Sequence, residues 1–85
     1  MDRLQSMEVF VTVVDLGSFT AAANVFRITP PMVSKHINGL EKRLGATLLT
    51  RTTRRLHLTE IGQKYYESCK KILGEIEWRK AAPRL

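Results

Sequence analysis

The chain has 85 residues, 44% of them hydrophobic and 26% charged, with a formal net charge of +6. That composition suits one domain with a modest core, excludes a disordered chain, and contains no run of about 18 apolar residues able to cross a membrane. The N-terminus lacks the basic flank and unbroken apolar stretch of a secretory signal, and the single cysteine, Cys69, excludes an internal disulfide framework, so a reducing, cytoplasmic setting is expected.

Asp2 is a candidate helix N-cap, with Gln5 three residues on as a variant of the capping box. Leu4, Met7, Phe10, Val11 and Val14 recur at spacings of three and four, which places them on one helical face. The β-branched cluster Val9, Val11, Thr12, Val13 and Val14 would also tolerate a strand. Periodicity and the cap decide for a helix, which Gly17 ends. Ser18 then caps a short second helix, Phe19 to about Arg27, built on Ala21, Ala22, Ala23, Val25 and Phe26. Its alanines allow another helix to cross closely, as a tight helix–turn–helix pair requires.

A third helix begins with Thr29 as cap and Pro30 at the first helical position, where a missing N–H costs nothing; Pro31 is tolerated in the same turn. It runs to Leu44 and stops at Gly45. Val33, Ile37, Leu40 and Leu44 form its apolar stripe, and the other side displays Pro31, Ser34, Lys35, Asn38 and Lys42. Gly39 costs this helix roughly 1 kcal/mol against alanine; the sequence leaves open whether it is tolerated or needed for close approach. From Thr47 to Leu58 the threonines, the alternation of Leu56 and Leu58 and a cationic centre predict two short strands joined by a basic loop. Two strands are barely stable alone, so this ribbon must lean on the helices. Thr59 caps the last helix, with Glu60 against its N-terminal dipole. Ile61, Tyr65, Cys69, Ile72 and Ile76, with Tyr66 and Leu73 offset, cover an arc of about 140° at 3.6 residues per turn. One side of that arc can seal the core while the rest faces a partner; a single core-facing stripe fits the periodicity equally well. Trp78 falls outside the arc, and Pro83 ends any helix.

The charge is concentrated. Residues 27–57 carry Arg27, Lys35, Lys42, Arg43, Arg51, Arg54 and Arg55 against the single anion Glu41, an excess equal to the +6 of the whole chain. Such clustering on a helix, a turn and a loop is the footprint of a polyanion binder, although a charge run is more often a solvated face. Enzyme chemistry is harder to find. His36 and His57 have mostly basic neighbours and are expected at the surface or lining a groove, and Cys69 is expected as a small core hydrophobe. Neither C-x-x-C nor H-x-x-x-H spacing occurs, and there is no phosphate-cradling glycine loop or G-x-S-x-G. No catalytic residue, metal or cofactor is expected.

A helix fits the major groove of B-DNA, with side chains near its N-terminus reaching base edges. Ser34 and Lys35 lie one turn into the third helix: lysine can donate to guanine N7 and O6, serine to a base or phosphate. Asn38, one turn on, can reach either, and Lys42 and Arg43 suit the backbone. Arg51, Arg54 and Arg55 can follow phosphates or enter a narrow minor groove. Each of these side chains has the plain alternative of being a solvated surface group.

The motifs in order are Phe10-Val11, Gly17-Ser18-Phe19-Thr20 followed by two alanines, Val33-Ser34, Leu40-Glu41, Leu44-Gly45, Leu48-Leu49, Arg51-Thr52-Thr53-Arg54-Arg55, and Leu58-Thr59 followed by Gly62. Over roughly residues 3–80 this order resembles the N-terminal DNA-binding domain of LysR-type transcriptional regulators, bacterial winged helix–turn–helix proteins. The resemblance implies a mainly α fold with a small β-hairpin: a winged helix–turn–helix over residues 1–58, a long linker and dimerisation helix over 59–82, and a tail at 83–85. It implies a homodimer that binds an inverted-repeat operator in double-stranded DNA and regulates transcription. The recognition helix, about 30–44, would read the major groove through Thr29, Pro30, Pro31, Ser34, Lys35 and Asn38. The wing, about 50–56, would touch backbone or minor groove through Arg51, Thr52, Arg54 and Arg55. The final helix would pair with its copy through Tyr65, Cys69, Ile72, Leu73 and Ile76.

Three departures qualify the resemblance. Pro30 stands where the family usually has a base-contacting glutamine. Lys35 replaces a common arginine and loses its bidentate fork, so specificity is expected to rest more on the wing and on DNA shape. Family members also normally continue into a large effector-binding domain that these 85 residues do not contain, so a small-molecule effector would act only through that missing part. The competing reading is a winged helix that binds another protein, its basic surface incidental. Failure to bind any duplex near physiological salt, with tight capture of a protein partner, would favour it. A small hydrolase lacks a nucleophile–base pair.

Overall fold

The computed structural model describes residues 3–51 and 55–81, with side chains as far as Gly74. The order is α1 (Arg3–Leu16), α2 (Phe19–Phe26), α3 (Pro30–Leu44), β1 (Leu49–Arg51), β2 (Leu56–Leu58) and α4 (Glu60–Ala81). The expected mainly α fold with a small hairpin and a long last helix therefore forms. Asp2 and Pro83 lie outside the described residues.

Local chemistry explains most boundaries. Gly17 adopts a φ of 67° and donates its N–H to Val13 O at 2.8 Å, ending α1. Ser18 Oγ accepts from the Ala21 N–H at 3.1 Å, and Thr29 Oγ1 accepts from the Met32 N–H at 3.3 Å, so both expected caps form. Gly45, with a φ of 66°, closes α3. The end of α2 falls within one residue of the expected end near Arg27. Helix stops at Phe26, and Arg27 takes the left-handed conformation with a φ of 56°. Arg27 N–H then donates to Asn24 O and Ile28 N–H to Ala23 O, the two bonds of a Schellman cap. Glycine usually fills that position; a side chain there costs roughly 1 kcal/mol.

The core is built around α1, which packs against α2, α3 and α4. A single apolar face was expected of it. Instead Ser6, Met7, Val9, Phe10, Val11 and Val13 are all buried, while Leu4 and Val14 are half-buried. Three neighbours demand more than one stripe. Ala22 and Ala23 are buried, consistent with close helix crossing at small side chains. On α3, Val33, Ile37 and Leu40 face inward as expected, but Leu44, in the last turn, is 44% exposed.

The strands pair antiparallel with Leu49 opposite Leu58, Thr50 opposite His57 and Arg51 opposite Leu56. They lean on the helices through specific bonds. Glu41 Oε2 accepts the Leu48 and Leu49 N–H groups at 2.8 and 3.3 Å, so the one anion of the basic stretch ties α3 to β1. Thr59 caps α4 by accepting from the Gly62 N–H at 2.9 Å. The same residue donates its hydroxyl to Thr47 O at 2.6 Å and its N–H to Leu48 O at 3.0 Å.

On α4 the arc divides, as one of the two readings of its width required. Cys69 is buried, Tyr65 packs its ring 5.6 Å from that of Phe10, and Tyr66 and Leu73 are half-buried. Ile61 and Ile72 remain 53% and 43% exposed. Tyr66 donates its hydroxyl to the Asp15 carboxylate, and Lys70 Nζ lies 3.4 Å from the other oxygen, joining α4 to the end of α1. The side chains of Ile76 and Trp78 lie outside those described. No described helix is long and apolar enough to cross a membrane.

Candidate nucleic-acid interface

Burial of Val33, Ile37 and Leu40 fixes the rotation of α3 about its axis, and the opposite face follows. Pro30, Pro31, Lys35, Asn38 and Lys42 are exposed, and Ser34 is half-buried. Thr29, the cap, is exposed beside them. Pro30 and Pro31 occupy the first two helical positions, so the start of α3 offers fewer backbone donors than most helix N-termini.

Two clefts run along this ridge, and Asn38 borders both. Toward the hairpin, Ser34, Asn38 and Glu41 share a cleft with Phe19, Leu49 and Arg51. Toward α1, Lys35, Asn38, Lys42 and Arg43 share a cleft with Arg3 and Ser6, four cations without a carboxylate among the lining residues. A third cleft joins Ser18, Phe19 and Thr20 at the start of α2 to Arg51, Arg55 and Leu56 of the hairpin. Shared lining residues, Asn38 between the first two clefts and Phe19 and Arg51 between the hairpin clefts, therefore link the polar face of α3, the start of α2 and both roots of the basic loop. Thr52 and Arg54 lie outside the described residues. Arg51 Cζ sits 4.3 Å above the centroid of the Phe19 ring.

Of the histidines, His57 is exposed as expected, but His36 is not. It is 3% exposed and shares a 2.8 Å hydrogen bond between its Nδ1 and Ser6 Oγ. The reason is positional: residue 36 stands three after Val33 and four before Leu40, on the buried stripe. Those helical spacings are a usable signal for burial, which the basic neighbours of His36 mask. Burial lowers the His36 pKa from its ordinary value. Its neutral form therefore contributes stability that is whole above the unfolded value of about 6.5 and is lost as pH falls through the lower folded value. Thermal midpoints between pH 7 and 5 should accordingly drop more steeply for the parent chain than for His36→Gln; parallel curves would remove His36 as the cause.

Of the α4 residues expected to face a partner whose side chains are described, Ile72 is the most open, and Tyr65 and Leu73 are half-buried. Cys69 is closed off by its own chain, which fits its other expected role as a core hydrophobe. Burial pushes its thiol pKa up, and burial together with Cys69 raises the Tyr65 phenol to about 12. Both stay neutral near pH 7, as packing side chains should. Phe19 and Glu41 were missed as contributors. Glu41 entered only as the single anion of the basic stretch and in the Leu40-Glu41 motif, and Phe19 only as the first residue of the second helix and in the Gly17-Ser18-Phe19-Thr20 motif.

A family model described as bacterial regulatory helix-turn-helix protein, lysR family, matches residues 4–63. An HTH-type transcriptional repressor of Pseudomonas aeruginosa is 45% identical over 84 residues, covering 99% of this chain and 26% of that protein. The HTH-type transcriptional activator AaeR of Escherichia coli is 43% identical over 77 residues, 91% of this chain and 25% of that protein. The chain thus spans about a quarter of the length of these curated relatives. Among solved structures, the BenM DNA-binding domain in complex with catB site 1 DNA matches with a TM-score of 0.88 at 33% identity, covering 99% of this chain and 92% of that one. The CbnR DNA-binding domain in a DNA complex matches at 0.85 and 27% identity, covering 99% and 95%.

Proposed function

The chain belongs to the lysR family of bacterial regulatory helix-turn-helix proteins, and from that premise we propose that it binds double-stranded DNA as a homodimer and regulates transcription in the bacterial cytoplasm. Residues 1–58 are the DNA-binding unit and 59–82 the linker helix. In this reading α3 enters the major groove, with Ser34, Lys35 and Asn38 toward base edges and Thr29, Pro30 and Pro31 against the adjoining backbone. Arg51, Thr52, Arg54 and Arg55 lie along the flanking phosphates or minor groove. The chain acts by binding, without a cofactor.

The observation that carries this reading is the shared cleft of Ser34 and Asn38 with Arg51, and of Arg51 and Arg55 with the start of α2. A groove-reading face and a backbone-reading face are useful together only if both meet one duplex. The exposed Ile61 and Ile72 support pairing of α4 with a second copy, at Ile72, the edges of Tyr65 and Leu73, and Ile76 further along.

A two-fold dimer must hold its two recognition helices about 34–36 Å apart, or a multiple of that. Selection from random duplexes near physiological salt should therefore enrich an inverted repeat whose half-sites share that spacing. Recovery of sequences no tighter than bulk duplex would overturn specific recognition, and a single unrepeated half-site would overturn the dimer.

A further inference from the structure

We propose that Phe19 is a positioning residue for DNA binding, its ring serving as the platform that aims the Arg51 guanidinium at the phosphate backbone. The inference rests on the reading that Arg51 touches DNA. Phe19 opens α2 and is half-buried against the core, while Arg51 ends β1 and is exposed. Its guanidinium carbon lies 4.3 Å over the ring centroid, within cation–π range. These two residues together border both the cleft toward α3 and the cleft toward the start of α2. They stand where the three surfaces meet.

The physical case concerns what an anchor does to a charge. A carboxylate would hold an arginine still, but it would also cancel the charge that a phosphate needs. Among the described residues no carboxylate is paired with Arg51; Glu41, which shares one cleft, spends an oxygen on the Leu48 and Leu49 N–H groups. An aromatic ring holds the planar cation without neutralising it and leaves N–H donors for a ligand. Much of the rotamer freedom that a free arginine would lose on binding is then already lost in the unbound protein, which raises affinity by preorganisation.

The test is a double-mutant cycle on the full chain, using a random-sequence duplex and the selected inverted repeat. Phe19→Leu should weaken binding about three- to tenfold with an unchanged salt slope, and Phe19→Trp should restore it. Arg51→Ala should lower the slope by about one counterion. In that background Phe19→Leu should cost nothing further. An equal loss with and without Arg51 overturns the platform. If Arg51→Ala changes neither affinity nor slope, Arg51 is off the DNA and the proposal falls, while groove reading by α3 stands. Absence of any duplex binding by the parent chain would instead sink the DNA reading itself. A measurement independent of variant folding uses the parent chain: the Arg51 δ protons should show an upfield ring-current shift, both free and on the duplex. Random-coil shifts in either state overturn the proposal.

Discussion

Gly62→Ala should destabilise the chain by about 2–4 kcal/mol, more than any other single added methyl group among the described glycines. A Cβ at residue 62 would lie 2.1 Å from Leu48 O and 2.9 Å from Leu48 C, with Leu58 Cδ2 at 3.1 Å. The obstacle is backbone, so no rotamer change relieves it. Nor is that backbone free to yield: Leu48 is buried, its carbonyl accepts the Thr59 N–H, and its N–H is held by Glu41. Relief requires α4 to lift away from the hairpin, breaking the bonds that seat the wing. For a domain this small the thermal midpoint should fall by roughly 10–25 °C, with a matching loss in urea titration. Gly39→Ala is the control. Nothing lies within 4 Å of a Cβ there, so the variant should gain about 0.5–1 kcal/mol from helix propensity. No element of the fold therefore approaches Gly39 closely enough to require glycine, although it lines the cleft of Lys35 and Asn38. A Gly62→Ala chain as stable as its parent would mean that the first turn of α4 does not rest on Leu48.

Lys35→Ala should weaken binding to the selected inverted repeat by about ten- to a hundredfold, the 1–3 kcal/mol of a good base contact. On random duplex the loss should be only a few-fold. Lys35 is exposed on the open face of α3, and among the described residues it has no ion pair that would hold it elsewhere. Its direction is set by its neighbours, since burial of His36 and Ile37 turns residue 35 outward. A homodimer presents the side chain twice, which enlarges the effect on a two-half-site duplex. Ser34→Ala should discriminate in the same direction, by less, because Ser34 is half-buried and short. Parallel competition titrations on the two duplexes decide the matter. Equal losses would move Lys35 from base to phosphate.

Much of this interface was legible before any coordinates. The caps at Ser18, Thr29 and Thr59, the breakers Gly17 and Gly45, and the stripe of Val33, Ile37 and Leu40 are local features. Each depends on residues within a turn or two, so spacing predicts them. The polar face of α3 follows from the stripe by subtraction. What spacing did not predict was occupancy of the stripe by a polar group: His36 belongs to it by position, and only a hydroxyl thirty residues away, Ser6, makes its burial affordable. The exposed Leu44 is the converse case, an apolar residue on the right stripe with no neighbour left to cover it.

Chain order and periodicity alone determined that there are four helices and a hairpin, where α1 and α3 stop, and which side of α3 is polar. These are matters of helical geometry and capping, satisfied within each segment. The tertiary structure decided the rest. Beyond the left-handed corner at Arg27, it made Glu41 a clasp rather than a surface charge, pressed Gly62 against Leu48, and laid Arg51 over Phe19. The last three depend on atoms from different elements meeting at fixed distances, whereas the corner at Arg27 is closed by bonds to Asn24 O and Ala23 O at the end of its own helix. No single segment carries that information, because each such contact exists only when distant segments have already found one another.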